Sequence, residues 1–192
     1  MSDIKIEKVE TLSSRWAKLR KYTILYRRSD GRQQSLVREV HDHGNAAAVL
    51  PYDPALGKVL LVRQFRLPAY LNGHPEPLLE ACAGLLDGDD AETCARREAD
   101  EELGYRLGTM RKVGNPFMSP GSLTERVTLF LAEYDATHRI GRGGGHEEEG
   151  EDIEVVEMTF GEAWTRVENG TITDAKTVIL LAFLRLELAG AR

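Results

Sequence analysis

Between Ala91 and Leu103 the chain reads AETCARREADEEL, and one side of the helix this spells carries conflicting signals. At about 100° per residue, Ala91, Cys94 and Ala95 line up on one narrow stripe of small residues, the side a helix turns toward protein. Glu98 and Glu102 fall on that same stripe, at i and i+4. Like charges at this spacing repel, and two inward carboxylates without a cation are costly to desolvate. Arg96, Arg97 and Asp100 point elsewhere. A Glu-rich helix is ordinarily a solvated face, here with Arg97 as local partner, but the charge sits on the wrong stripe for that. A hard divalent cation with oxygen ligands, Mg²⁺ or Mn²⁺, resolves the conflict. Asp89 and Glu92 have capping-box spacing and Gly104 follows Leu103, so the expected helix runs from Asp90 to Leu103.

The remainder of the chain narrows the setting. Its 192 residues suffice for one domain with an appendage, and 42% apolar with 29% charged residues suits a soluble globular protein. No run of about 18 apolar residues is present, so no membrane span is expected. The N-terminal MSDIKIEKVETLSSRW lacks an apolar signal core, which makes the cytoplasm the expected compartment. The net charge of −6, with Lys and Arg scattered, offers no electrostatic footprint for nucleic acid. Cys82 and Cys94 form no zinc pattern and read as small packing residues. His41 and His43 read as structural, and no Ser–His–Asp arrangement is suggested.

Residues 1–45 read as short strands, with Asp30-Gly31 as a hairpin turn inside YTILYRRSDGRQQSLVREV. Residues 46–192 mix elements. AAAVLPYDPALGKVLLVRQF predicts two strands around an Asp-Pro turn, and VTLFLAEY and DIEVVEMTF predict further strands. FGEAWTRVENG, stopped by Gly170, and AKTVILLAFLRLEL predict helices. Strands and helices without strict alternation suggest an α/β fold with one mixed sheet flanked by helices. The segment GRGGGHEEEGED, Gly141 to Asp152, has the composition of a long mobile loop.

The acidic segment resembles the Nudix box, in which a glycine, five residues, Glu and seven residues precede Arg-Glu, an aliphatic, any residue, Glu-Glu, any residue, glycine and an aliphatic. Gly84 matches its start, and Arg97-Glu98, Glu101-Glu102 and Gly104 match its second half. The interval from Gly84 to Arg97 is one residue shorter than the pattern, Asp90 stands for the first Glu, and Ala99 and Tyr105 fill the aliphatic positions. Beyond the box, CAGLLD, REV, RQFR, MSPG, GGG…EDIEV and DAKTV are similar to the bacterial GDP-mannose pyrophosphatase branch of the Nudix hydrolases, near the ADP-ribose pyrophosphatases.

This resemblance implies a Nudix α/β/α sandwich with a mixed β-sheet, preceded by an N-terminal antiparallel β-sheet that serves dimerisation and substrate contacts. It implies Mg²⁺-dependent hydrolysis of the pyrophosphate bond of a nucleotide sugar, GDP-mannose first and ADP-ribose as the alternative, by a homodimer. The implied metal ligands are the Ala83 carbonyl, Glu98 and Glu102, with Glu101 taking a second ion or a supporting role. Arg97 would orient a box carboxylate. Glu151 would reach the metal or act as general base, with Glu147, Glu148 and Glu149 competing for that role. Arg66 and Arg38, with Glu39 beside it in REV, would face the diphosphate or sugar. Trp16 would stack on the base, and Glu125 and Lys176 match further substrate-contacting positions. A non-catalytic nucleotide sensor would need a broken metal site, whereas Glu98, Glu101 and Glu102 are all present.

Overall fold

The protein is described here by a computed structural model covering residues 4–190; positions 1–3 and 191–192 of the two expected regions lie outside the described residues. Contacts divide the chain into two units, one ending at Asn45 and including Phe117–Arg126, the other made of Ala46–Pro116 and the chain from Val127 onward.

The first unit is an antiparallel meander of β1 (Ile4–Ser14), β2 (Lys18–Arg27) and β3 (Gln33–Asp42). Asp30 makes the hairpin turn tight, because its carboxylate accepts the Arg32 N–H at 3.1 Å. Segment 117–126 extends the far end of β3, where the His41 N–H donates to the Ser122 carbonyl and its carbonyl accepts the Thr124 N–H. Ile4, Ile6 and Val9 stand opposite Tyr26, Ile24 and Tyr22, so one face of the sheet carries an apolar strip. Within the chain that strip is poorly covered, with Ile4 54%, Ile6 58% and Val9 49% exposed.

The second unit is built on β4 (Ala46–Asp53), β5 (Lys58–Gln64), β6 (Leu78–Glu80), β7 (Cys82–Leu85), β8 (Met110–Gly114), β9 (Val127–Glu133) and β10 (Ile153–Thr159). Its sheet runs β10-β5-β4-β9-β8, with β4 and β9 parallel and the other pairs antiparallel. β4 and β5 pair only beside their turn, at Tyr52–Val59 and Asp53–Lys58, and then part. β6 takes the vacated edge of β5 and β7 that of β4, so the chain changes partner strand at Ala81.

Among the described residues the α-helices beside the sheet are α1 (Leu67–Leu71), α2 (Ala91–Glu98), α3 (Phe160–Glu168) and α4 (Ala175–Gly190). β4 is apolar from Ala46 to Pro51, where both its faces are covered. Ala47, Val49, Leu60 and Val62 pack with Cys94, Ala95 and Leu103 on one side. By the two-residue alternation of a strand, Ala48, Leu50 and Leu61 face the other side, where α4 lies against β4 and β9 and buries Leu180, Leu181 and Leu184. The outcome is the expected α/β/α sandwich on a mixed sheet, with α2 against β4 and β7. No helix among the described residues is long and apolar enough to cross a membrane.

Candidate active site

The acidic helix departs from its sequence expectation at both ends. Its N-cap is Asp90 rather than Asp89, with the Asp90 carboxylate accepting the N–H groups of Glu92 and Thr93 at 3.0 and 3.1 Å. Asp89 instead lies 3.5 Å from Arg97 Nε. The α-helical pattern stops at Glu98, and Ala99–Leu103 form a π turn closed by the Gly104 N–H on the Ala99 carbonyl, which also accepts the Tyr105 N–H at 3.3 Å. The stripe survives this change of pitch, with Cys94, Ala95, Glu98, Ala99 and Glu102 all buried.

A helix end leaves carbonyls without intrahelical partners. Here the glycine-rich segment supplies them. Gly145 and Gly144 donate to the carbonyls of Glu101 and Glu102 at 3.2 and 2.9 Å, and Ile140 and Gly141 both donate to that of Gly104. The expectation of a mobile loop from composition therefore gives way to a backbone cap on the acidic helix. Gly143 shows why glycine is needed: its φ is +68° and an added Cβ would lie 2.3 Å from the Glu102 carbonyl oxygen.

Glu102 is 3% and Glu98 9% exposed. Burial lifts the Glu102 pKa to about 7, although the Cys82 thiol and the Ala83 N–H, at 3.3 Å, bond to its carboxylate. Burial also raises that of Glu98, against the opposing pull of Arg97. Arg97 Nη1 lies 2.9 Å from Glu98 and 3.1 Å from Glu101, so one guanidinium spans two carboxylates of the box. Gly84 leaves the space Glu98 occupies, since a Cβ there would come within 1.9 Å of Glu98 Oε1. Among the described residues no three acidic, His or Cys side chains already form a cation cage. Two buried carboxylates with raised pKa values, beside a strand that carries the Ala83 carbonyl, are nonetheless a hard-oxygen donor set that suits a divalent ion.

Glu151 is brought to the same helix end. Its Oε2 accepts the His146 N–H at 2.8 Å, and a Cβ on Gly145 would lie 2.2 Å from it. His146 Nε2 in turn lies 3.5 Å from Glu101. Glu147 and Glu148 are exposed on a short 3₁₀ turn, and the Glu149 side chain lies outside the described residues. Gly143–Gly145, Glu151 and Arg142 border an open cavity of about 920 Å³.

Arg66 and Lys176 converge on Glu80, which the sequence does not single out. Arg66 donates to both Glu80 oxygens, at 2.7 and 3.3 Å, and Lys176 Nζ bonds Glu80 and also Asp174 at 2.9 Å. The available signal was a glutamate inside the apolar run PLLEACAG. Arg63, from the same RQFR motif, pairs with exposed Glu154 at 2.5 Å.

The remaining candidates belong to the first unit. Trp16 is 76% exposed and stacks on His43 at 5.3 Å between centroids. Arg38 pairs with Tyr22 and so shares the face of the apolar strip, whereas Glu39 pairs with Lys21 on the opposite face. The Glu125 carbonyl accepts the Met118 N–H at 3.4 Å.

A buried glutamate pair, Glu98 held by Arg97 and Glu102 by the Ala83 N–H, beside a strand pair parted by β6 and β7, defines a class. The NUDIX domain family matches residues 42–180, and the chain belongs to the Nudix hydrolases. Residues 3–41 match a second family, described as the GDP-mannose pyrophosphatase NudK N-terminal domain. The chain is 48% identical over 185 residues, 96% of both chains, to a GDP-mannose pyrophosphatase of Cronobacter sakazakii. It is 47% identical over 181 residues to one of Pectobacterium atrosepticum, covering 94% of this chain and 93% of the relative. A crystal structure of an ADP compounds hydrolase shares the fold, with a TM-score of 0.74 at 20% identity over 98% of this chain and 95% of its own.

Proposed function

We propose that the protein hydrolyses the pyrophosphate bond of GDP-mannose, giving GMP and mannose 1-phosphate, with Mg²⁺ as cofactor and Mn²⁺ as a substitute. The observation that carries this reading is the buried Glu98–Glu102 pair, with burial raising both pKa values, in a chain 45–48% identical to GDP-mannose pyrophosphatases along its length. Glu98, Glu102 and the Ala83 carbonyl hold the ion, and Glu101 supports it. When bound, the ion offsets phosphate charge and acidifies a water. Arg97 keeps Glu98 and Glu101 in place between turnovers. Glu151, on the capped loop, takes a proton from the attacking water as general base. Water adds at one phosphorus, the bridging P–O bond breaks, and the departing phosphate carries the negative charge. Arg66 and Lys176 offer N–H donors to the diphosphate, with Glu80 and Asp174 behind them.

Region 1–45 supports the homodimer in this proposal. Its apolar strip of Ile4, Ile6 and Val9 is the surface that a second copy covers, and Trp16, Arg38, Glu39 and Glu125 contact the nucleotide sugar, Trp16 and Arg38 in the partner's site. The expected location is the cytoplasm. Chromatography of products from a nucleotide-sugar panel with Mg²⁺ tests the substrate. GMP from GDP-mannose at the highest kcat/KM supports the proposal. Faster cleavage of ADP-ribose replaces the substrate while leaving the chemistry, and no cleavage of any member removes both.

A further inference from the structure

Glu80 is 2% exposed, the most buried charged side chain among the described residues. It sits in register with Val62, one residue before the chain changes partner strand at Ala81. An isolated carboxylate at this depth is not sustainable, and removing one partner of such a pair is more damaging than the pair is stabilising. Glu80 is saturated instead: Arg66 holds both its oxygens through Nε and Nη2, and Lys176 Nζ bonds Oε2. Lys176 also meets Asp174, which caps the start of α4 by accepting the Thr177 N–H and hydroxyl at 3.0 and 2.5 Å. The Thr177 oxygen then accepts the Ala81 N–H at 2.7 Å, the one that the strand change leaves without a ladder partner. Two carboxylates and two cations thus form one neutral group tying β6, the start of α1 and the start of α4. Burial works to raise the Glu80 pKa, but Lys176 and Arg66 outweigh it and hold the carboxyl below the ordinary glutamate value.

The two cations differ in what they leave open. The Lys176 side chain is 12% exposed and that of Arg66 40%. Glu80 occupies the Nε–Nη2 edge of the Arg66 guanidinium, which leaves the Nη1 edge for another acceptor. Arg66 also feels the charge of Glu102, which brings it within electrostatic reach of the proposed ion site. A free arginine would lose rotamer freedom on meeting a diphosphate, and one already clamped along one edge does not.

We propose that Glu80 is a positioning residue for the hydrolysis, fixing the Nε–Nη2 edge of Arg66 so that the Nη1 edge is aimed at the substrate diphosphate. This rests on the reading that Arg66 meets that diphosphate. Steady-state kinetics on GDP-mannose at saturating Mg²⁺ test it. Glu80→Gln and Arg66→Ala are each expected to raise KM roughly tenfold, the scale of one charge-assisted hydrogen bond, with kcat changed less than about threefold. The double variant should be little worse than Arg66→Ala alone, because Arg66 is the far more exposed of the two cations that Glu80 holds, 40% against 12% for Lys176. Glu80→Asp keeps the buried charge but withdraws it from Arg66, so it folds where the Gln variant fails, and its rise in KM should likewise vanish in the Arg66→Ala background. A merely structural Glu80 would lower kcat with the folded fraction and leave KM unchanged. A raised KM in Arg66→Ala with unchanged KM in both Glu80 variants overturns the positioning role alone, as do effects that multiply in the double variant. An unchanged KM in Arg66→Ala overturns the reading of Arg66 and the positioning role together.

Discussion

Replacing Glu102 by Gln is expected to make the metal-free protein more stable at pH 8 while removing its response to Mg²⁺. Burial raises the Glu102 pKa from 4.5 to about 7 in the folded chain. A folded-state pKa above the unfolded one means that the fold holds this proton more tightly. That contribution is fully present below about pH 4.5 and is lost as pH rises through about 7. Between those two values, at about 1.4 kcal/mol per pH unit, the wild type loses about 3 kcal/mol through this one group. Gln carries no charge and keeps an oxygen to accept the Ala83 N–H, now bonded at 3.3 Å. Urea unfolding in EDTA at pH 5, 6.5 and 8 measures the effect. The wild type should weaken across this range by up to about 3 kcal/mol more than Glu102→Gln. Adding Mg²⁺ at pH 8 should restore the wild type alone, because an ion that binds only the folded chain stabilises it by mass action. Parallel pH profiles for the two proteins would refute the reasoning that Glu102 is held against its charge.

Gly84→Ala places a Cβ 1.9 Å from Glu98 Oε1, so it should fold yet bind Mg²⁺ more than about tenfold more weakly by calorimetry. Gly143→Ala sets a side chain at φ +68° against the Glu102 carbonyl, and urea unfolding should show a loss of about 2 kcal/mol or more. The same variant should be cut faster by trypsin after Arg142. Light scattering should give twice the chain mass for the wild type, and Ile6→Asp, on the apolar strip of β1, should give the single chain mass.

The sequence made the acidic stripe readable because helical periodicity is local: the angles that bring Glu98 and Glu102 under Cys94 and Ala95 need only a dozen residues. The same reading missed the cap by one residue, since Asp89 and Asp90 are both competent and only the backbone decides which turns inward. Composition also misjudged the glycine segment. Its flexibility in isolation is real, but the glycines are there to bring backbone N–H groups against the carbonyls of Glu101, Glu102 and Gly104, a fact of tertiary contact. Glu80 was hidden for a related reason. Its partners Arg66 and Lys176 lie 14 and 96 residues away, joined only once β6 leaves β5 and β7 joins β4. The strands β4, β5, β9 and β10 were legible from their apolar runs. The short β6, β7 and β8 were not, because three to five residues carry too little periodicity to show.

The central claim is that Glu98 and Glu102 hold a divalent ion, and Mn²⁺ electron paramagnetic resonance tests it most directly, since the six-line signal of free Mn²⁺ falls as the ion binds. Wild-type protein should bind Mn²⁺, release it on addition of Mg²⁺, and lose more than about tenfold in affinity on Glu98→Gln. Equal Mn²⁺ binding by the wild type and Glu98→Gln would contradict the account, whatever substrate the protein proves to cleave.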